Sequence, residues 1–352
     1  MIMTNEAFIL LAVSVTLIVT FIVAIFITWL YSIISQAKYK KINNFLDARL
    51  VCYFESEDHH KHRVIREINK YIGDSTLKKK QLIERVLQYG EQFIDNHPKQ
   101  LMGLYEETGI TDYLVKSLSA KRYYNKAIAC RKIGDLRIYS TEADLYKLHT
   151  IPNNEVLYNV LLALAKLGDA ERLIKILVVD SNKINLSFRS IIEVIEQFNG
   201  SEEAKESLIK QAIEESDEYV KAILIKAAAS GNYESLAETY IKYLESHTVG
   251  LRIACIRALS GLRNPDYEYD IINMLHDKEW EVRAAAAKGL GDFGTYRSYE
   301  PLANATRDGE WWVRNNAAHA LVSLPGGKYY AQQLVGDEDR YSREAIAAVM
   351  ER

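Results

Sequence analysis

The chain has 352 residues, 26% of them charged, with 44 Lys and Arg against 47 Asp and Glu. That length exceeds what one globular core usually fills, and a net charge of −3 offers no polycation for a nucleic acid. Cys52, Cys130 and Cys255 are too widely spaced for a zinc motif or a disulfide framework, which points to a reducing compartment and to Cys255 as a small buried hydrophobe.

From the amino terminus, Ala7 to Tyr31 contains no charged side chain. At 1.5 Å per residue this stretch makes a helix of about 37 Å, enough to cross a hydrocarbon layer of about 30 Å with some tilt. Residues 7–31 are therefore expected to span a lipid bilayer once. The start lacks the basic flank of a cleavable leader, so the helix is expected to stay as an anchor. Lys38, Lys40 and Lys41 follow the span and no Lys or Arg precedes it, which places the amino terminus outside and the rest in the cytoplasm of a cell membrane.

Residues 32–100 form a short helical juxtamembrane region in this reading. Tyr39, Ile42, Phe45, Leu46, Leu50, Tyr53 and Phe54 recur at helical spacing, a second helix covers Arg63 to Ile72, and Ser75 caps a third. Residues 36–100 carry 13 Lys and Arg against 9 Asp and Glu, whereas 101–352 carry 31 against 37. A basic sector suits an anionic leaflet, although an ordinary solvated face is the simpler reading.

Residues 101–352 read as a solenoid of about eight helix pairs. Second helices are expected near 121–133, 155–167, 187–198, 218–230, 249–262, 280–293, 311–323 and 340–351, with Gly134, Gly168, Gly200, Gly231, Gly261, Gly294 and Gly326 marking their ends. The pattern is sharpest late in the chain, where a unit recurs every 31 residues. Leu251/Val282/Val313, Cys255/Ala286/Ala317, Leu259/Leu290/Leu321 and Leu262/Phe293/Leu324 form one apolar face. Tyr240/Ile271/Leu302 and Tyr243/Met274/Ala305 mark the preceding companion helices. A polar column, Arg252/Arg283/Arg314, follows turns opened by Asp277 and Asp308.

The Asp277 turn, the Val282-Arg283 pair and the run Ala284 to Ala287 resemble the HEAT repeat family, in particular bacterial HEAT-like repeats of the phycobilisome lyase type. The resemblance covers about 200–352 and implies an all-α fold with a protein-binding surface. It also implies that each Arg of the column pairs with the turn Asp of the neighbouring unit, so that Arg252, Asp277, Arg283, Asp308 and Arg314 are structural. Some relatives attach bilin chromophores as lyases, but nothing here resembles a chromophore site.

No seat for enzyme chemistry is visible. Glu57-Asp58-His59-His60-Lys61-His62 crowds metal-binding residue types, yet the histidines diverge on a helix, and a polar turn is the simpler reading. Gly289, Gly291 and Gly294 spell Gly-x-Gly-x-x-Gly but close a helix, whereas a dinucleotide loop follows a strand and opens one. No cofactor, metal or nucleic acid is expected. Trp280, Trp311 and Trp312 are either wedged between adjacent repeats, the simpler reading, or open as candidates for docking a protein partner, since Trp is a type enriched at binding hot spots. The sequence thus reads as a membrane-anchored scaffold or regulator. The alternative is an accessory subunit of an envelope machine, such as a glycan synthase or transporter, whose membrane helix packs on partner helices.

Overall fold

A computed structural model describes residues 5–56, 58–93, 98–179, 186–336 and 338–351. Among these the regular structure is entirely helical. The chain divides into two compact units, Met1–Lys116 and Ser117–Arg352.

The first unit is built on α1 (Asn5–Glu55), a single helix of 51 residues. No Gly or Pro occurs before Gly73, so nothing in the sequence breaks it. Its first half is apolar and exposed, and this is a helix long and apolar enough to cross a membrane. Its second half buries Ile42, Leu46, Leu50 and Tyr53 against α2 (Asp58–Ile72) and α3 (Thr76–Phe93). Phe45 stacks on Tyr71 at 3.9 Å, Arg49 pairs with Glu67 at 3.1 Å, and Arg85 with Asp47 at 2.5 Å. These contacts make α2 antiparallel and α3 parallel to α1. In α4 (Pro98–Glu107) the carbonyls of Gln100 and Glu107 accept from Tyr53 and Asn69. The last helix to begin in this unit is α5 (Ile110–Leu118).

The second unit is a series of helix pairs. The second members of the pairs are α6 (Tyr123–Asp135), α8 (Asn154–Leu167), α10 (Phe188–Glu196), α12 (Glu218–Ala229), α14 (Val249–Leu262), α16 (Trp280–Phe293), α18 (Trp311–Ser323) and α20 (Arg340–Met350). Between them lie α7 (Glu142–Tyr146), α9 (Ala170–Val179), α11 (Glu202–Glu215), α13 (Ala237–Lys242), α15 (Glu268–Asn273), α17 (Tyr299–Ala305) and α19 (Gly327–Gln333). Each second helix packs on the next, which is the stacking of an α solenoid. Leu251, Val282, Val313, Cys255, Ala286, Ala317, Leu259, Leu290 and Leu321 are all fully buried. In the last column Leu324 is buried but Leu262 and Phe293 are half-buried, at the margin of the core.

Small residues set how closely the helices approach. A Cβ added at Gly291 would lie 2.9 Å from the Cα of Ala320, and one at Gly289 would lie 2.2 Å from Ser260 Oγ. The Gly-x-Gly-x-x-Gly match is therefore a packing feature of α16. Gly134 and Gly261 fall inside α6 and α14 instead of ending them. At Gly134 the reason is again close approach, since a Cβ would meet Ala163 Cα at 2.7 Å. Gly168 and Gly326 do take positive φ at helix ends, but Arg137, Asn232 and Arg263 do so elsewhere.

Polar ties run between neighbouring repeats on the first-helix side. Glu268 is fully buried and accepts from the Thr295 amide at 2.6 Å, Thr295 Oγ1 at 2.8 Å and Ser298 Oγ at 2.6 Å. One repeat earlier, Glu234 accepts from Asn264 and Tyr267, each at 2.7 Å. At Glu268 these bonds satisfy a carboxylate that burial would otherwise penalise, whereas Glu234 is exposed.

Candidate functional site

Two polar and aromatic columns share the second helices of the late repeats but face different ways. The Arg column turns inward. Arg252 Nη2 donates to Asp277 Oδ1 at 2.9 Å, its Nε lies 2.8 Å from Oδ2, and its Nη1 donates to the Ser246 carbonyl at 2.7 Å. Arg283 repeats this with Asp308, at 2.7 and 3.0 Å, and with the carbonyls of Asp277 and Lys278. Each Asp also accepts from the backbone two residues on, Glu279 N or Glu310 N at 2.8 Å, which fixes the entry to the helix. Burial alone would push the Asp308 carboxyl up, but the Arg283 guanidinium and the Glu310 amide hold it below the usual carboxylate range. Arg314 donates to the carbonyls of Asp308 and Gly309 and lies over the Tyr341 ring at 4.7 Å. These arginines are spent within the array.

The tryptophans lie on the solvent side. Trp311 and Trp312 are each 55% exposed and meet edge to face, with centroids 4.7 Å apart. Trp280 is half-buried. A concavity of about 550 Å³ opens across α14, α16 and α18, walled by Trp280 and Trp312, with Arg257, Lys288, Glu281 and Asp292 around it. Asn316 closes it at one side by donating to the Ala284 carbonyl at 2.9 Å. A second concavity, of about 180 Å³, lies between α18 and α20 and is lined by Trp311, Arg314, His319, Tyr341 and Glu344. The Trp311–Trp312 pair thus stands between two adjacent hollows, one residue serving each. The site can take apolar side chains against the indoles and charged groups of either sign at its rims.

A signal in the sequence reveals part of this site beyond the tryptophans. Lys226, Arg257, Lys288 and His319 stand 31 residues apart, five positions after the Arg column where it is present. Arg257 and Lys288 are exposed in the larger hollow and His319 lines the smaller. Tyr341 and Glu344 belong to no such column and emerge through the packing of α20 on α18.

Other candidate chemistry disperses. Asp58 to His62 belong to the first turns of α2 and not to a polar turn; Glu57 and the side chains of Asp58 and His59 lie outside the described residues. His62 Nδ1 is 3.1 Å from Glu107. Among the described residues no three His, Cys, Asp or Glu converge on a metal position. Cys130 and Cys255 are buried, which pushes both thiols up to about 12, while Cys52 is exposed.

The surface therefore belongs to an all-α solenoid. Residues 268–351, which hold most of both hollows, match the family of HEAT repeats. No curated protein matches the chain. Among solved structures, human deoxyhypusine hydroxylase in complex with glycerol is 13% identical, covering 91% of this chain and 97% of its own, with a TM-score of 0.30. An engineered protein is 18% identical, covering 68% and 94%, with a TM-score of 0.19. At these scores neither likeness bears on the function of this chain.

Proposed function

We propose that the chain is a single-pass membrane protein whose HEAT repeats bind another protein as a scaffold or regulator. The carrying observation is the Trp311–Trp312 pair, more than half exposed between two hollows. Exposed indoles flanked by polar groups are the chemistry of a binding hot spot. The likeness to phycobilisome lyase repeats is taken as architectural, and the chain is read as a binding protein without an enzymatic reaction.

The amino-terminal helix serves as the anchor, with residues 7–31 in the bilayer, the amino terminus outside and the repeats in the cytoplasm. Its hydroxyls support a tether over a subunit interface, because Thr16, Thr20 and Thr28 donate to carbonyls of their own helix at 2.7, 2.7 and 2.8 Å. The span also lacks the Gly-x-x-x-Gly pattern that draws membrane helices together.

The test places a photo-crosslinking residue at Lys288 in the full-length protein and identifies what is captured in membranes. Trp311→Ala and Trp312→Ala should each weaken that capture by about 2 kcal/mol or more while leaving thermal stability nearly unchanged. Undiminished capture in both variants would remove the site, and steep thermal loss would show the indoles to be packing residues.

A further inference from the structure

The first unit carries a charge pattern that its fold turns into a surface. Lys38, Lys40 and Lys41 are exposed on α1, just past the apolar stretch. The remaining lysines are distant in sequence but brought to the same end. Phe45 stacks on Tyr71 and Arg49 pairs with Glu67, so the carboxy terminus of α2 lies level with the early part of this half of α1. Lys70 projects there and is exposed. Arg85 meets Asp47, and Lys78, Lys79 and Lys80 in the first turns of α3 lie five to seven residues, or about 8–10 Å, nearer the apolar stretch. Lys78 confirms the level by donating to the Tyr71 carbonyl at 2.5 Å and lying 4.1 Å from the Tyr71 ring.

The acidic groups nearby are largely committed elsewhere. Asp47 is held by Arg85, Glu67 by Arg49 and Arg63, and Glu107 by His62. Lys79 turns towards Gly109, so it is not counted. Asp74, exposed in the α2–α3 turn, opposes Lys38, Lys40, Lys41, Lys70, Lys78 and Lys80.

Distance decides what these lysines can reach. Resting on the spanning role proposed above, the unbroken α1 puts Lys38 about 10 Å and Lys41 about 15 Å beyond Tyr31. The polar headgroup layer is about 5–8 Å deep, and the Debye length at physiological salt is about 8 Å. Lys38 therefore lies just past the headgroups with a side chain long enough to reach back among them, and the start of α3, level with residues 38–42 of α1, lies within about one screening length of them. Because α1 continues without a joint, that height is built in.

We propose that this end of the first unit is a basic collar that binds anionic phospholipid headgroups of the cytoplasmic leaflet. It goes beyond anchoring, because it gives the tether a preference for lipid composition and presses the α2–α3 turn against the bilayer.

The experiment uses the full-length protein in nanodiscs of phosphatidylcholine alone or with about one third phosphatidylserine, followed by hydrogen exchange of residues 69–80. Exchange there should slow by about fivefold in the anionic discs, the factor expected for one lysine's worth of attraction, and the difference should vanish at high salt. Lys70→Gln with Lys80→Gln should abolish it, whereas Arg63→Gln with Arg66→Gln, at the far end of α2, should leave it. Equal exchange in both discs, with the protein stably inserted, would overturn the collar and leave the anchor standing. A chain that inserts in neither and is released by alkali would overturn both.

Discussion

Asp277 and Asp308 hold one position in consecutive repeats, yet burial separates what they contribute. The side chains of Arg252 and Asp277 are 4% and 10% exposed, against 18% and 13% for Arg283 and Asp308. Changing either Asp to Asn keeps an oxygen for the helix-entry bond from Glu279 or Glu310 and removes only the charge. In Asp277→Asn the guanidinium of Arg252 stays buried with only neutral partners, the retained side-chain oxygen and the Ser246 carbonyl, and no counter-charge. Removing one partner of such a pair costs about 3–5 kcal/mol. In Asp308→Asn, Arg283 keeps two backbone carbonyls and reaches water more readily, so the loss should be about 1–3 kcal/mol. Because a solenoid opens locally, the measurement is hydrogen exchange over 249–293 and 280–323 in the full-length protein. Equal costs, or a larger cost at Asp308, would refute the claim that burial ranks the two pairs.

Asp308 also supplies a pH dependence. Its folded carboxyl titrates below the ordinary value, so its stabilisation is complete above about pH 4 and fades as pH falls through the folded value. Exchange in α16 and α18 should accordingly converge with that of Asp308→Asn in acid. Gly291→Ala must push α16 from α18 and should cost about 1–3 kcal/mol, read as faster exchange in both helices. The Tyr240 hydroxyl is buried without a partner, so Tyr240→Phe should leave thermal stability unchanged or raise it by up to about 1 kcal/mol. A marked loss would show a hydrogen bond there.

Much of the solenoid is legible in the sequence because its second helices are long and their apolar columns recur every 31 residues. All eight expected second helices coincide with observed ones to within a few residues. The first helices are less legible for a local reason. In α13 and α15 a core of six residues is flanked by 3₁₀ turns, as at Tyr243–Glu245 and Met274–His276, too short for a 3.6-residue period to show. Glycine misled at Gly134 and Gly261, since a missing Cβ serves close helix approach as well as it serves a turn, and Arg263 takes the left-handed position after α14 at φ 53°.

The candidate site shows why recurrence alone does not separate structure from function. Arg252/Arg283/Arg314 and Arg257/Lys288/His319 repeat with the same period on the same helices, five residues apart. Five residues turn a helix by about 500°, which is 140° once the full turn is removed, so the columns must face different ways. One meets the turn of the next repeat, where Asp277 and Asp308 wait; the other meets solvent in the hollows beside Trp280, Trp311 and Trp312. The acid 25 residues after Arg252 and Arg283 is the readable mark of the inward column. The outward column has no such acid at fixed spacing, and its Arg257 and Lys288 stand exposed in the larger hollow.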